Sequence, residues 1–207
     1  MNETKTPNNL LSKTLDWSYD KAINGGTGLD TAIALADDYL EEFRTVRESA
    51  DSLVRWQTTK AGTAGFLFNC AGALTVPAML PANMATALFL QLRMSAAIAH
   101  MGRHDLYSDR VRVFIYACLC GNMAMDVMRS AGIDLSVAFT QRAILAIPDA
   151  AIAEINKYVG LKLVTKYGNG LVNLGKLAPV VGGFTGGAID AFSTRAIGSV
   201  AKRVFIP

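Results

Sequence analysis

Apolar positions recur at helical spacing along most of the chain, and alternating β patterns are essentially missing. Residues 1–9 read as a disordered polar tail. From Asn9 the pattern turns helical, with Leu10, Leu11, Leu15, Trp17 (or Ser18) and Ala22 near one face. Asn24-Gly25-Gly26-Thr27-Gly28 stops that helix, because glycine accepts the positive φ that helix ends favour. Leu29 to about Thr58 predicts one long amphipathic helix. Its apolar stripe is Ile33, Ala36, Leu40, Phe43, Val46 (or Arg47), Ala50 and Val54, and Asp37, Asp38, Glu41, Glu42, Arg44 and Arg47 face water.

Residues 61–102 break this rhythm, holding one formal charge (Arg93) and two prolines, Pro77 and Pro81. The segments 61–76 and 82–102 each fall short of the roughly 20 unbroken apolar residues of a comfortable membrane span, the second only narrowly. Val76-Pro77 and Leu80-Pro81 form a rigid elbow, since neither proline donates a backbone hydrogen bond. A helical hairpin follows. Ser108-Asp109 caps a predicted helix over 109–131, and a further helix is expected near 136–146. Pro148 then opens one over 148–166. A short helix over 171–177 precedes Pro179, and 180–204 forms a final glycine-rich helix. The expected fold is all-α: a compact multi-helix bundle, one domain over 10–207, with a central proline-broken apolar hairpin and a Gly-rich C-terminal helix.

Composition sharpens the picture. Apolar residues make up 51% and charged residues 18%, against roughly 25% charged in an average soluble domain; mean hydropathy is +0.28. Residues 1–60 carry 7 Lys/Arg and 10 Asp/Glu, whereas 61–207 carry 13 and 7. The apolar part is therefore also the basic part, which suits an anionic membrane surface. Nucleic acid is not expected as a partner, because the cations are thinly spread and no run of basic and aromatic residues appears. Cys70, Cys118 and Cys120 lie in apolar surroundings without a CxxC pair and read as buried free thiols of a reducing compartment. No basic region followed by an apolar signal core opens the chain, so a cytoplasmic protein, peripheral to the inner face of the cytoplasmic membrane, is the expectation.

Few constellations offer chemistry. In the C-terminal run, Gly182, Gly186, Asp190, Thr194 and Gly198 fall at intervals of four and share a helix face, beside a second small row of Gly183, Gly187 and Ala191. Such faces permit close backbone approach, either as in membrane helix pairs or inside a soluble bundle. Each glycine costs about 1 kcal/mol relative to alanine in a helix, so the row needs a packing or ligand reason. A carboxylate at Asp190 on that face needs a partner, with Arg195, Lys176 and Arg93 as candidates. The loop Thr165–Lys176 offers backbone amides at Gly168 and Gly170, with Asn173, Lys166 and Lys176, for a phosphate or lipid headgroup; ordinary turn chemistry is the alternative. Gln91, Arg93 and His100 interrupt the apolar helix 82–102 and suggest a polar network joining helices. His100, His104, Asp105 and Asp109 could approach a metal-ligand set, but no metal is expected, and no cofactor. No GxSxG, HExxH, dinucleotide-binding or EF-hand pattern is present, so the residues lean against an enzyme.

DWSYDKAINGG (16–26), VRWQTTKAGTAGF (54–66), LPANMATALFLQLRMSAAIAHMG (80–102), TKYGNGLVNLGK (165–176) and PVVGGFTGGAIDAFSTRAIGSVAKRVF (179–205) together resemble the EcsC family over about residues 10–205. Asn69-Cys70-Ala71-Gly72 departs from the pattern, where a more glycine-rich segment is expected. The resemblance implies bacterial origin, an α-helical fold and an association with membrane transport or envelope processes. It supplies no catalytic residues.

Three functions are compatible with these features. The first is a non-enzymatic accessory protein at the cytoplasmic membrane face that binds lipid or a membrane protein. The second is a protein, binding or enzymatic, that takes lipid or a small apolar or anionic molecule in a pocket between the apolar hairpin and the Gly-rich helix. The third is a toxin-like bundle that inserts its hairpin; each arm, about 24 Å for 16 helical residues against a bilayer core of about 30 Å, is short for full insertion.

Overall fold

In the computed structural model of the chain, residues 7–26, 30–61, 82–134, 139–163 and 182–206 are described, those at 7–11, 82–86 and 182–190 by their backbone alone. The architecture is all-α, and among the described residues no strand occurs. The helices are α1 (Pro7–Asn24), α2 (Ala32–Glu42), α3 (Val46–Ala61), α4 (Ala82–Met101), α5 (Asp109–Cys118), α6 (Ala124–Ser130), α7 (Gln141–Leu145), α8 (Asp149–Leu163) and α9 (Gly182–Phe205). A 3-10 turn at Gly121–Met123 links α5 to α6. The first arm of the expected hairpin, its proline elbow and the helix expected over 171–177 lie outside the described residues.

α4 is the centre. α1, α2, α3, α5 and α9 all pack against it. From Leu88 to Ala99 only Leu90 and Arg93 retain partial exposure. Leu88, Phe89, Leu92, Met94 and Ile98 are fully buried, each contributing about 2 kcal/mol of hydrophobic free energy. A helix buried on every side is apolar all round. That accounts for the second half of the charge-poor stretch without lipid. Among the described residues no helix is long and apolar enough to cross a membrane.

Small residues let the neighbours close in. Ala32 and Ala36 of α2 and Ala50 of α3 are fully buried. Along α1 the buried set is Thr14, Leu15, Ser18, Tyr19, Ala22 and Ile23, a clean i, i+4 double stripe that selects Ser18 over the half-buried Trp17. The helix starts at Pro7, earlier than expected, with proline in the first-turn position it tolerates.

Three expected helices are divided or shortened. The long helix over 29–58 is two, because Phe43 is extended (φ −114°, ψ 149°). Thr45 and Glu48 then form a reciprocal capping box: Thr45 Oγ1 accepts from Glu48 N–H at 3.2 Å, and Glu48 Oε2 accepts from Thr45 N–H at 3.1 Å. The helix over 109–131 breaks after Cys118, where Gly121 takes a φ of +58° that side chains rarely adopt. Of the helix expected near 136–146, the described residues 139–146 hold the single turn α7, started by Thr140, whose hydroxyl accepts from Ala143 N–H. α8 begins directly after Pro148, whose carbonyl accepts from Ile152 N–H at 3.2 Å.

Candidate functional site

Two of the residues singled out by sequence meet at the seam between α4 and α9. Gln91 Nε2 donates to Thr194 Oγ1 at 3.2 Å, and both side chains are buried. Gly198, one turn on from Thr194, lies against α3: an added Cβ would fall 2.6 and 2.9 Å from the Val54 methyls and 3.3 Å from Met94 Cε. At this position the small row is explained by helix packing. Asp190 stands one turn before Thr194 on the same face. Arg195 is exposed. Lys166, Gly168, Gly170, Asn173 and Lys176 lie outside the described residues.

The polar residues of α4 also reach α2 and the residue pair that leads into it. Arg93 Nη2 is 3.6 Å from Asp30 Oδ2, and His100 Nε2 is 3.3 Å from Asp37 Oδ1. Both partners are spaced i, i+7, so the two pairs fix one register between helices that run in the same direction. His104 is separate: α4 ends at Met101, and Arg103 turns the chain with φ 63°. The His104 ring lies across Phe205, centroids 5.0 Å apart, with Nε2 3.3 Å from the Phe205 carbonyl oxygen. Burial lowers its pKa from 6.5, outweighing the hydrogen bonds that would raise it. Among the described residues no group of three or more His, Cys, Asp or Glu is placed to hold a metal ion. Cys118 and Cys120 are buried free thiols. Burial pushes the Cys118 pKa far up, so it is a protonated packing group rather than a nucleophile.

The most developed polar cluster was not nominated by sequence. α1, α5 and α8 enclose a groove of about 900 Å³. Leu15, Val113, Val159 and Leu161 give it apolar walls, and Asp16, Arg112 and Tyr116 gather among its lining residues. Arg112 Nη2 donates to Asp16 Oδ1 at 2.6 Å and Nε to the Tyr116 hydroxyl at 3.2 Å. The Tyr116 hydroxyl in turn donates to Asp16 Oδ1 at 3.2 Å. The guanidinium carbon lies 5.4 Å from the Tyr19 ring centre and 5.7 Å from that of Tyr116. The two rings meet edge to face at 5.6 Å, and Tyr19 donates to the Leu106 carbonyl at 2.7 Å.

This cluster holds charge and does not move protons. Burial raises the pKa of Tyr116 and of Tyr19 well above the ordinary phenol value, so both keep their protons at neutral pH. For Arg112, burial lowers the pKa, but Tyr116 and Asp16 outweigh it and the net shift is upward. Arginine has five N–H donors. Two are committed in the network, leaving donors for an oxygen brought by a ligand. Asp16 and Arg112 lie 96 positions apart, which is why spacing could not reveal them.

No family model, no curated protein and no solved structure matches the chain.

Proposed function

We propose that the protein is a non-enzymatic accessory protein working at the cytoplasmic face of a membrane, and that it holds an amphipathic, lipid-class ligand in the α1–α5–α8 groove. One observation carries this: a groove of about 900 Å³ combines apolar walls with a fixed guanidinium that has donors to spare. An acyl chain gains by leaving water along Leu15, Val159 and Leu161, at about 25 cal/mol per Å². A headgroup oxygen gains a charge-assisted hydrogen bond from Arg112. The uneven charge along the chain and the resemblance to the EcsC family favour a membrane setting.

Native mass spectrometry of gently purified protein tests this. The expected result is a bound lipid-sized mass that disappears with Arg112→Gln or with Leu161→Asp. Leu161 is 58% exposed, so its replacement leaves the core intact. A wild-type protein that neither retains such a mass nor takes up a fluorescent phospholipid sinks the proposal.

A further inference from the structure

α3 and α9 pack side by side, with Asp51 paired to Lys202 and Val54 against Gly198. One number falls as the other rises, so the helices are antiparallel, and residues 55–60 of α3 stand level with about 192–198 of α9. At about 100° per residue, Arg55 and Thr59 are rotated roughly 100° and 140° from Val54, while Arg195, Ser199 and Phe192 are rotated roughly 60°, 100° and 120° from Gly198. The same sense of rotation on antiparallel neighbours turns both sets toward one side of the pair. All five are exposed. Trp56 follows at the outer edge, 52% exposed, with Lys60 Nζ 5.0 Å from its ring centre; Phe192 is 69% exposed.

Cations outnumber acids on this face. Arg55, Arg195 and Arg203 are exposed on it; of its acids, Asp51 is paired with Lys202 and Glu48 caps the start of α3. Among the described residues neither Arg55 nor Arg195 has an acidic partner. Two large exposed aromatics beside the exposed Arg55 and Arg195 match the interface of an anionic bilayer, where aromatic rings sit at headgroup level and arginines meet phosphates. The chain leaves α3 directly into its most apolar run.

We infer that the outer face of α3 and α9, with Trp56 and Phe192 as aromatic anchors and Arg55 and Arg195 as phosphate contacts, is the surface by which the protein docks on an anionic phospholipid bilayer. This rests on the membrane setting proposed above and names the face that meets it, distinct from the ligand groove.

Trp17→Phe leaves Trp56 as the one remaining tryptophan of two. Vesicles of phosphatidylcholine with about 30% phosphatidylglycerol should then blue-shift its emission, and a lipid brominated near the headgroup should quench it. Arg55→Gln with Arg195→Gln should weaken vesicle binding about thirtyfold at low salt, from roughly one surface charge contribution each. Arg55 and Arg195 are exposed, and Trp17→Phe keeps an aromatic ring at its half-buried position, so unchanged circular dichroism is expected. If both arginine changes leave vesicle binding intact, or Trp56 stays unquenched on bound protein, the docking face is elsewhere and the membrane setting survives. If the wild type ignores anionic vesicles altogether, the membrane setting falls with it, while lipid retained in the groove still reports separately on Arg112.

Discussion

Gly102→Ala should destabilise the protein more than a methyl added at any other described glycine. Gly102 follows the last residue of α4 and needs no left-handed φ, so backbone strain is not the reason. The reason is space. An added Cβ would fall inside the Phe205 carbonyl oxygen and 2.9 Å from the carbonyl carbon. Backbone cannot rotate aside as a side chain can, so the last turn of α9 must move outward. Val204, Phe205 and Ile206 are all buried there, Phe205 completely. Removing a buried phenylalanine outright costs about 3–5 kcal/mol, and overpacking a core about 1–3. Displacing the turn without deleting it should fall between them, at about 3 kcal/mol. For a chain of this size each kcal/mol lowers Tm by about 2–4 °C, so a drop of about 6–12 °C is expected in thermal melts, with an unchanged slope in urea. In a chain ending at Val204 the same substitution should lose most of its effect, because the carbonyl it strikes is gone. A Gly102→Ala protein melting within about 2 °C of wild type would refute the contact.

At Gly198 the neighbours are methyl groups, so the balance is finer: the helix gains about 1 kcal/mol from alanine and loses about 1–3 to crowding of Val54. A net loss near 1 kcal/mol is expected, turning into a gain in a Val54→Ala background; a stabilised single variant in urea melts would contradict the packing. Thr45→Ala removes the capping box that starts α3 and should cost about 1 kcal/mol, or 2–4 °C in Tm; no change would mean that α2 and α3 do not depend on this break. His104 is held neutral, with a folded pKa below its unfolded value of 6.5. Its contribution is complete above that value and is lost as pH falls through the lowered folded pKa, because the unfolded chain binds the proton more readily. Urea midpoints between pH 7 and 4 should therefore fall less steeply for His104→Gln, and parallel profiles would count against the burial argument.

Much of this fold was legible because helical spacing survives burial. The helix α1 with Leu15 and Ala22 on its buried side, the limits of α4 and the extent of α9 follow from residue pattern alone. The misses have specific causes. The apolar stripe carries through Phe43 and Val46, so periodicity continues across the break; the competing signal, Thr-x-x-Glu at 45–48, is local cap chemistry. A single glycine inside an apolar run hides the turn at Gly121 in the same way. For the site, Gln91 and Thr194 stood out because each is polar on an apolar helix, and they do meet. Asp16, Arg112 and Tyr116 did not, because charged residues on amphipathic helices look like solvated surface until the tertiary fold turns them toward one groove.

In the described half of the charge-poor stretch, α4, the apolar residues are covered by protein. In α4 the apolar residues serve five surrounding helices, and its three conspicuous polar residues each meet a protein partner: Gln91 on α9, Arg93 beside Asp30, and His100 on α2. Such pairs add little net stability, since partly exposed ion pairs are worth about 0–1 kcal/mol. Their effect is on register. Sliding α2 past α4 by one turn would separate both carboxylates from their cations, while an all-apolar seam would tolerate the slip. The membrane proposal accordingly rests elsewhere, on the outer face of α3 and α9, where exposed aromatics coincide with arginines that have no acidic partner among the described residues. The proposed docking face therefore rests on the exposed Trp56, Phe192, Arg55 and Arg195 and not on the apolar residues of α4, which neighbouring helices already cover.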